Sequence, residues 1–288
     1  MSPRDNAARA IAALPAIGLD ALTTDAALLA RVDRKYIVPL EVIPTLVEAA
    51  RSDGPRDEAS VPAALEIDGC RELDYLSVYF DTPDLLSFRL AAHARRRRFK
   101  LRTRTYLDSG TVYLELKTRG ARGLTVKDRD VYDGAEPDVL TAEARSEAAN
   151  ALEAIGVGPE RADDLDARLA TRYRRTTLLV PGTAGDPASR ATIDLDVQWR
   201  EVAGVAFALP DFAIVETKST GRASRIDRTL WRLGYRPQRI SKYATGLAAL
   251  HRELPRNRWT RVLAGPLASP LVLPETTAAR KDPTCFAA

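Results

Sequence analysis

The chain has 288 residues, with 43 Lys+Arg against 39 Asp+Glu and a formal net charge of +4. So small an excess does not make the whole surface a nucleic-acid platform, and the arrangement of the cations matters more than their sum. With 28% charged and 45% hydrophobic residues, the chain reads as globular and long enough to bury a substantial core. Two cysteines, Cys70 and Cys285, exclude a disulfide framework, and no Cys/His cluster has zinc spacing. With His93 and His251 as the only imidazoles, a metal would be held by carboxylates, which favours Mg²⁺ or Mn²⁺. No run approaches 18 apolar residues and the N-terminus lacks an apolar signal core. A cytoplasmic chain with no transmembrane span of its own is expected.

Residues 6 to 31 read as helical, with a break near Pro15 to Leu19, and 35 to 38 as a short strand. A helix follows over 40 to 51 and a loop over 52 to 62. Leu73 to Asp81, LDYLSVYFD, is rich in aromatic and β-branched residues and is stopped by Thr82-Pro83-Asp84. Arg97 to Leu107 and Thr111 to Thr118 form a hairpin across Asp108-Ser109-Gly110, and Leu124 to Tyr132 is a further strand. After a helix over 141 to 155, strands are expected over 170 to 180, 190 to 199 and 213 to 218, then helices over 222 to 233 and 241 to 254. Hairpins dominate, so the expected class is α+β: a mainly antiparallel sheet with helices packed around it. One domain over 1 to 254, with its core at about 27 to 251, precedes a tail at 255 to 288 expected to be flexible.

Strand residues two apart share a face. Lys100, Arg102 and Arg104 therefore share one, as do Glu115 and Lys117, Lys127 and Arg129, Arg190, Thr192, Asp194 and Asp196, and Glu216 and Lys218. A single such face normally points to solvent. Five in succession suggest a sheet closed into an antiparallel β-barrel with its charged side inward. Crowded cations repel and are costly to desolvate, so such an interior calls for a polyvalent anion, for which a triphosphate or longer phosphate chain is suited. The interleaved carboxylates either pair with neighbouring cations or hold a divalent ion that bridges to phosphate. Nucleic acid is disfavoured as a partner, because aromatics do not interleave with the basic residues along each strand.

The segments RVDRKYIVP (31 to 39), SVYFDTPDLLSFR (77 to 89), FKLRTRTY (99 to 106), YLELKTRG with TVKDR (113 to 129), YRRT (173 to 176), RATIDLD (190 to 196), IVETKS (214 to 219) and SKY (241 to 243) occur in this order. Together they resemble the VTC domain, the polyphosphate polymerase branch of the triphosphate tunnel metalloenzymes. The sister CYTH branch usually opens with ExExK, where this chain reads Val32-Asp33-Arg34-Lys35. The resemblance implies a tunnel lined by Lys35, Arg102, Arg104, Lys117, Lys127, Arg175, Arg190, Lys218 and Lys242. It also implies Glu216 as metal ligand and Glu115 as a further candidate. Lys35 is preferred to Arg31, and Arg175 to Arg174. The implied partners are ATP and polyphosphate, with Mn²⁺ or Mg²⁺. A separate membrane protein is a candidate partner, because the SPX and transmembrane domains of eukaryotic members are missing from this sequence. The expected activity is transfer of the ATP γ-phosphate to a growing polyphosphate chain. Hydrolysis in the same tunnel, as a triphosphatase, and non-catalytic polyphosphate binding remain open at this point.

Overall fold

Alternation of charged with aromatic and β-branched residues from Leu73 onward produces strands. A computed structural model describes residues 1–25, 32–52, 60–119, 125–182, 187–202, 204–269 and 271–273. The N-terminal part holds α1 (Pro3–Ala12), β1 (Ala16–Ile17), α2 (Leu19–Asp25), β2 (Val32–Pro39), α3 (Val42–Ser52) and β3 (Ala63–Leu65). The middle holds β4 (Leu73–Asp81), α4 (Leu86–Ala92), β5 (Arg98–Tyr106), β6 (Val112–Arg119), β7 (Thr125–Val131) and α5 (Ala142–Ala154). The last part holds β8 (Asp166–Val180), β9 (Ser189–Glu201), β10 (Ala206–Leu209), β11 (Phe212–Ser219), α6 (Arg225–Arg232), α7 (Lys242–Leu250), α8 (Thr260–Leu263) and β12 (Leu271–Leu273).

Eight strands run in the order β7-β6-β5-β4-β8-β9-β11-β2, every neighbour antiparallel. The two longest strands each serve more than one neighbour on a side. β8 passes from β4 to β3, and β9 from β11 to β10, which carries β12 on its far edge. The fold is therefore α+β with a mainly antiparallel sheet, as the sequence predicts. The sheet curls until β2 faces β5 and β6 across a cavity of about 580 Å³. Closure is the point that needs correcting. Among the described residues no pairing joins β2 to β7, so both remain free edges. Every residue of β7 is exposed, as befits an edge strand covered on neither side.

Helices cover the outside. Ala191, Ile193, Leu195, Ala213, Val215, Tyr36 and Val38 present the outer face of β2, β9 and β11 to α1, α3 and α6. Phe80, Leu101, Leu114 and Leu116 do the same for β4 to β6 beneath α5. On the concave side a third cluster joins Tyr75, Tyr79, Leu169, Tyr173 and Trp199 to α4, α7 and α8. Trp259, Val262, Leu263 and Leu267 belong to it, so the expected flexible tail begins too early. Residues 255–269 pack on the domain because their apolar side chains cap this cluster, and 271–273 extend the sheet. Cys285 and Arg31 lie outside the described residues. No described helix is long and apolar enough to cross a membrane.

The entry into α6 is tied to β2 and β11 by Asp227, which is fully buried. Its carboxylate accepts from Tyr36 Oη (2.7 Å), Thr217 Oγ1 (2.6 Å), Ser224 N (2.7 Å) and Ser224 Oγ (2.9 Å), and Arg34 lies 3.4 Å away. Asp227→Ala leaves these donors without an acceptor. A loss of roughly 3–5 kcal/mol is expected from the shift in urea midpoint at unchanged slope; a change under about 1 kcal/mol would show that the tie is dispensable.

Candidate functional site

Period-two alternation sends Lys35 of β2, Lys100, Arg102 and Arg104 of β5, Glu115 and Lys117 of β6, Arg175 of β8, Arg190 and Asp194 of β9, and Glu216 and Lys218 of β11 to the concave side. Cross-strand register stacks them in rows: Lys100, Lys117 and Lys127 in one, Arg102, Glu115 and Arg129 in the next. On the facing wall Lys35, Glu216 and Thr192 are level, and Lys218 and Arg190 are level. Arg102 and Arg104 are about nine-tenths covered. The cations are partnered from within. Arg102 grips Glu115 at 2.5 Å, with Arg104 at 3.6 Å, Lys127 at 3.8 Å and Arg129 at 3.9 Å from the same carboxylate. Asp194 takes both Nε and Nη2 of Arg175, at 2.6 and 2.8 Å, and also Lys242. Glu216 pairs with Lys35 and stands 3.7 Å from Lys218.

Tyrosines back this charge. Arg104 and Arg175 lie 5.6 and 5.5 Å from the centre of the Tyr75 ring, Arg102 lies 5.8 Å from that of Tyr79, and Lys242 lies 4.3 Å from that of Tyr173. Such rings hold desolvated cations without neutralising them. The Tyr173 hydroxyl is buried with no hydrogen-bond partner among the described residues. Lys242 opens α7, and α7 is fixed three ways. Tyr243 donates to the buried Asp81 at 2.5 Å, and Asp81 also accepts from the backbone of Thr82, Ser87 and Phe88. Trp199 Nε1 donates to the Lys242 carbonyl at 2.7 Å. Gly246 lets the helix approach that indole so closely that a Cβ there would fall 2.3 Å from Trp199 Cδ1.

The pKa directions follow from crowding. Burial alone would raise Glu115, Asp194 and Glu216, but Arg102 and Arg104 for the first, Arg175 and Lys242 for the second, and Lys35 and Lys218 for the third outweigh it. All three stay well below the usual carboxylate range. Lys100 and Lys117 move the other way. Desolvation first, then Arg102, with Lys35 beside Lys100 and Lys100 beside Lys117, pushes both down to about 7. Both line the cavity, and Lys117 is the more open of the two.

By strand parity and shared carboxylates, Lys35, Arg102, Arg104, Lys117, Arg175, Arg190, Lys218 and Lys242 lie on the concave side, with Lys127 at its rim on β7; of these, Lys35 and Lys117 line the cavity of about 580 Å³. Arg190 lies toward the edge, where it donates to the Leu22 carbonyl at 2.5 Å. Arg174 is exposed, which favours Arg175 as the inward residue. Asp196 departs from the expected face. The β8–β9 register shifts between Arg172 and Arg174, Asp196 takes φ +54°, and its carboxylate pairs with Arg4 of α1. The bulge breaks the parity on which that expectation rests. Glu115 fits a buried counter-charge better than a metal ligand, because cations occupy both its oxygens. Lys100 and the tyrosines Tyr79 and Tyr173 were not among the expected site residues. Lys100 was legible from parity with Arg102. The tyrosines were not, because they meet the arginines across strands, not along one. The premise that aromatics do not interleave with the cations therefore fails in space, although these rings are too buried to stack on bases.

The cavity of about 580 Å³ is lined by Lys35, Lys100, Lys117 and Ser241, among others. A larger one of about 970 Å³ lies on the side of α1 and is lined by none of the expected residues. The family model described as the VTC domain matches residues 30–251. The chain belongs to the VTC domain family. Among curated proteins none matches it in sequence. Solved structures similar to this VTC domain include a candidate adenylate cyclase from Bacillus halodurans, at 14% identity over 88% of this chain and 95% of that one, TM-score 0.38. Another is a candidate adenylyl cyclase from Hippeastrum described as having a dominant triphosphatase activity, at 16% identity over 76% and 95%, TM-score 0.39. A third is a protein from Pyrococcus horikoshii, at 12% identity over 75% and 98%, TM-score 0.38. At these scores nothing about the chemistry of this VTC domain follows from them.

No three acidic, His or Cys side chains gather into a metal cluster among the described residues. A hard divalent ion fits here with one protein carboxylate and the oxygens of a bound phosphate chain. Glu216 suits that role, because its partners are two flexible lysines able to turn to phosphate. The low lysine pKa values give a test. A multivalent anion restores the protons of Lys100 and Lys117, so tripolyphosphate binding weakens as pH rises from 6 to 8.5. At pH 7, titration calorimetry in buffers of different ionisation heat reads uptake of up to about one proton per ligand. No proton uptake would place these lysines outside the binding event.

Proposed function

We propose that this VTC domain is a metal-dependent polyphosphate polymerase that transfers the ATP γ-phosphate to a growing phosphate chain. One observation supports the reading: cations from six strands and α7 gather on the concave side, where Glu115, Asp194 and Glu216 are each already paired with cations. The triphosphate lies along Arg102, Arg104, Arg175 and Lys242, which exchange part of their contact with Glu115 and Asp194 for phosphate oxygens. Lys35 and Lys218 turn from Glu216 toward the same chain. The terminal oxygen of the acceptor forms a bond to the γ-phosphorus in line as the bond to the β,γ-bridging oxygen breaks, and that oxygen leaves with ADP. Mn²⁺ or Mg²⁺ held by Glu216 and the phosphates supplies further neutralisation of the developing charge.

The family match favours transfer over hydrolysis. An acceptor phosphate is already anionic and needs only positioning. Incubation with ATP and Mn²⁺ is expected to give ADP and a chain product that exopolyphosphatase digests. Orthophosphate alone from the earliest time points would make the protein a hydrolase, and binding without turnover a polyphosphate-binding module.

Two variants read the assigned roles. Glu216→Ala is expected to abolish metal-dependent turnover while the fold persists. Arg102→Ala should weaken tripolyphosphate binding by roughly 1.5–3 kcal/mol, with Arg102→Lys, which keeps a charge beside Glu115, intermediate. Wild-type affinity in Arg102→Ala, measured by calorimetry, would remove Arg102 from the site.

A further inference from the structure

Glu115, Asp194 and Glu216 pair with arginines and lysines inside the channel, whereas four arginines at its mouth have no such partner among the described residues. Arg98 and Arg119 sit directly opposite each other at the ends of β5 and β6, where like charges destabilise a sheet. Arg239 and Arg258, from the chain before α7 and before α8, line the same opening. Among the described residues none of these four has a carboxylate within ion-pair distance. Arg98 donates to the Arg95 carbonyl at 2.9 Å, which leaves its charge uncompensated. Among the described residues, eight cations line this cavity against a single acid, Asp33, and Asp33 stands level with Lys218 across β2 and β11. The larger cavity beside α1 has five acids to three arginines, so the surface is not uniformly basic. The repulsion registers on the arginines themselves. Burial, then Arg119 and Arg258, lowers Arg98; burial, then Arg239 and Arg119, lowers Arg258.

We infer that Arg98, Arg119, Arg239 and Arg258 form a subsite at the channel mouth for the phosphates of a linear polyphosphate chain beyond those held inside. The inference rests on the phosphate-binding reading of the channel and assigns a further part of it. On β5, Arg98, Lys100, Arg102 and Arg104 alternate along one face, a continuous basic track from mouth to interior. Arg98 to Arg102 spans about 13 Å at the strand rise. Three linked phosphates seated at Arg102 and Arg104 do not reach the collar, and a longer chain does. Four uncompensated arginines at one opening store repulsion that a threaded polyanion relieves, and their planar forks suit its oxygens. The collar thereby selects chain length, and triphosphate binding does not depend on it.

The test compares tripolyphosphate with a polyphosphate of about 30 units, by calorimetry at fixed ionic strength, on wild type, on Arg98→Gln with Arg258→Gln, on all four arginines changed to Gln, and on Arg102→Ala. Wild type is expected to bind the long chain at least about tenfold more tightly than tripolyphosphate. The collar variants lose that advantage while tripolyphosphate affinity falls less than about threefold. Relief of repulsion should leave their melting temperature equal or higher, and the double variant serves if the quadruple one does not fold. Long-chain affinity unchanged in a folded collar variant, with Arg102→Ala still impaired, overturns the collar and leaves the channel reading standing. Collar-dependent binding with Arg102→Ala unimpaired does the reverse. A single-stranded oligonucleotide of equal charge that binds the collar as tightly as the long chain also overturns the assignment, because the subsite would then read charge alone.

Discussion

Everything in this molecule depends on how a sheet survives with arginines and lysines on its concave side. A desolvated cation is costly unless an opposite charge or a hydrogen-bonding partner replaces water. The fold meets this with three interior carboxylates and a wall of tyrosines. Glu115 stands within 3.9 Å of four cations, and Asp194 holds Arg175 and Lys242 together. The remaining excess stays positive, and two lysines yield by giving up part of their charge near neutral pH. The outer faces of the same strands are apolar and bound to helices, so the strands cannot turn over to expose the charge.

That constraint also fixes the geometry of the site. Lys242 acts on the channel from outside the sheet, and it can do so because α7 is locked against the inner wall. The buried Asp81 ties the end of β4 to the start of α4 and to Tyr243, so the strand that carries Tyr75 and Tyr79 and the helix that carries Lys242 move as one. Gly246 against Trp199 sets the depth of the helix. A positively charged site needs such rigidity, since loosely held cations would move apart and lose the convergence that binds a polyanion.

Most of the charged concave lining was legible because strand parity is a strict rule wherever the ladder is regular. β5 and β6 are regular, and Lys100, Arg102, Arg104, Glu115 and Lys117 fall on the inner face as alternation predicts. The rule fails where the ladder slips. Asp196 follows the bulge opposite Tyr173 and turns to Arg4, a reversal that no local pattern announces. Long-range pairings were equally unreadable. Asp194 meets Lys242 across 48 residues and Asp81 meets Tyr243 across 162. The family resemblance supplied Lys242, which parity could not, because it lies on a helix. Short elements without their own period, such as β3, β10 and α4, escaped notice, and Trp259 to Leu267 was misread as tail because proline-rich composition hid four buried apolar side chains.

The internal pairing has a consequence for ligand choice. On the proposed reading, an anion that reaches Arg102, Arg175 or Lys35 must replace Glu115, Asp194 or Glu216 as their partner, and a single charge gains little by exchanging one ion pair for another. A chain of linked phosphates offers several charges on one backbone, so its first contact brings the rest to the neighbouring cations at high effective concentration. Each successive row on β5, from Lys100 to Arg104, then adds a contact without a new entropic cost of association. On the proposed reading, preference for a chain over orthophosphate needs no steric filter, and it follows from cations in excess of the three interior carboxylates among the described residues.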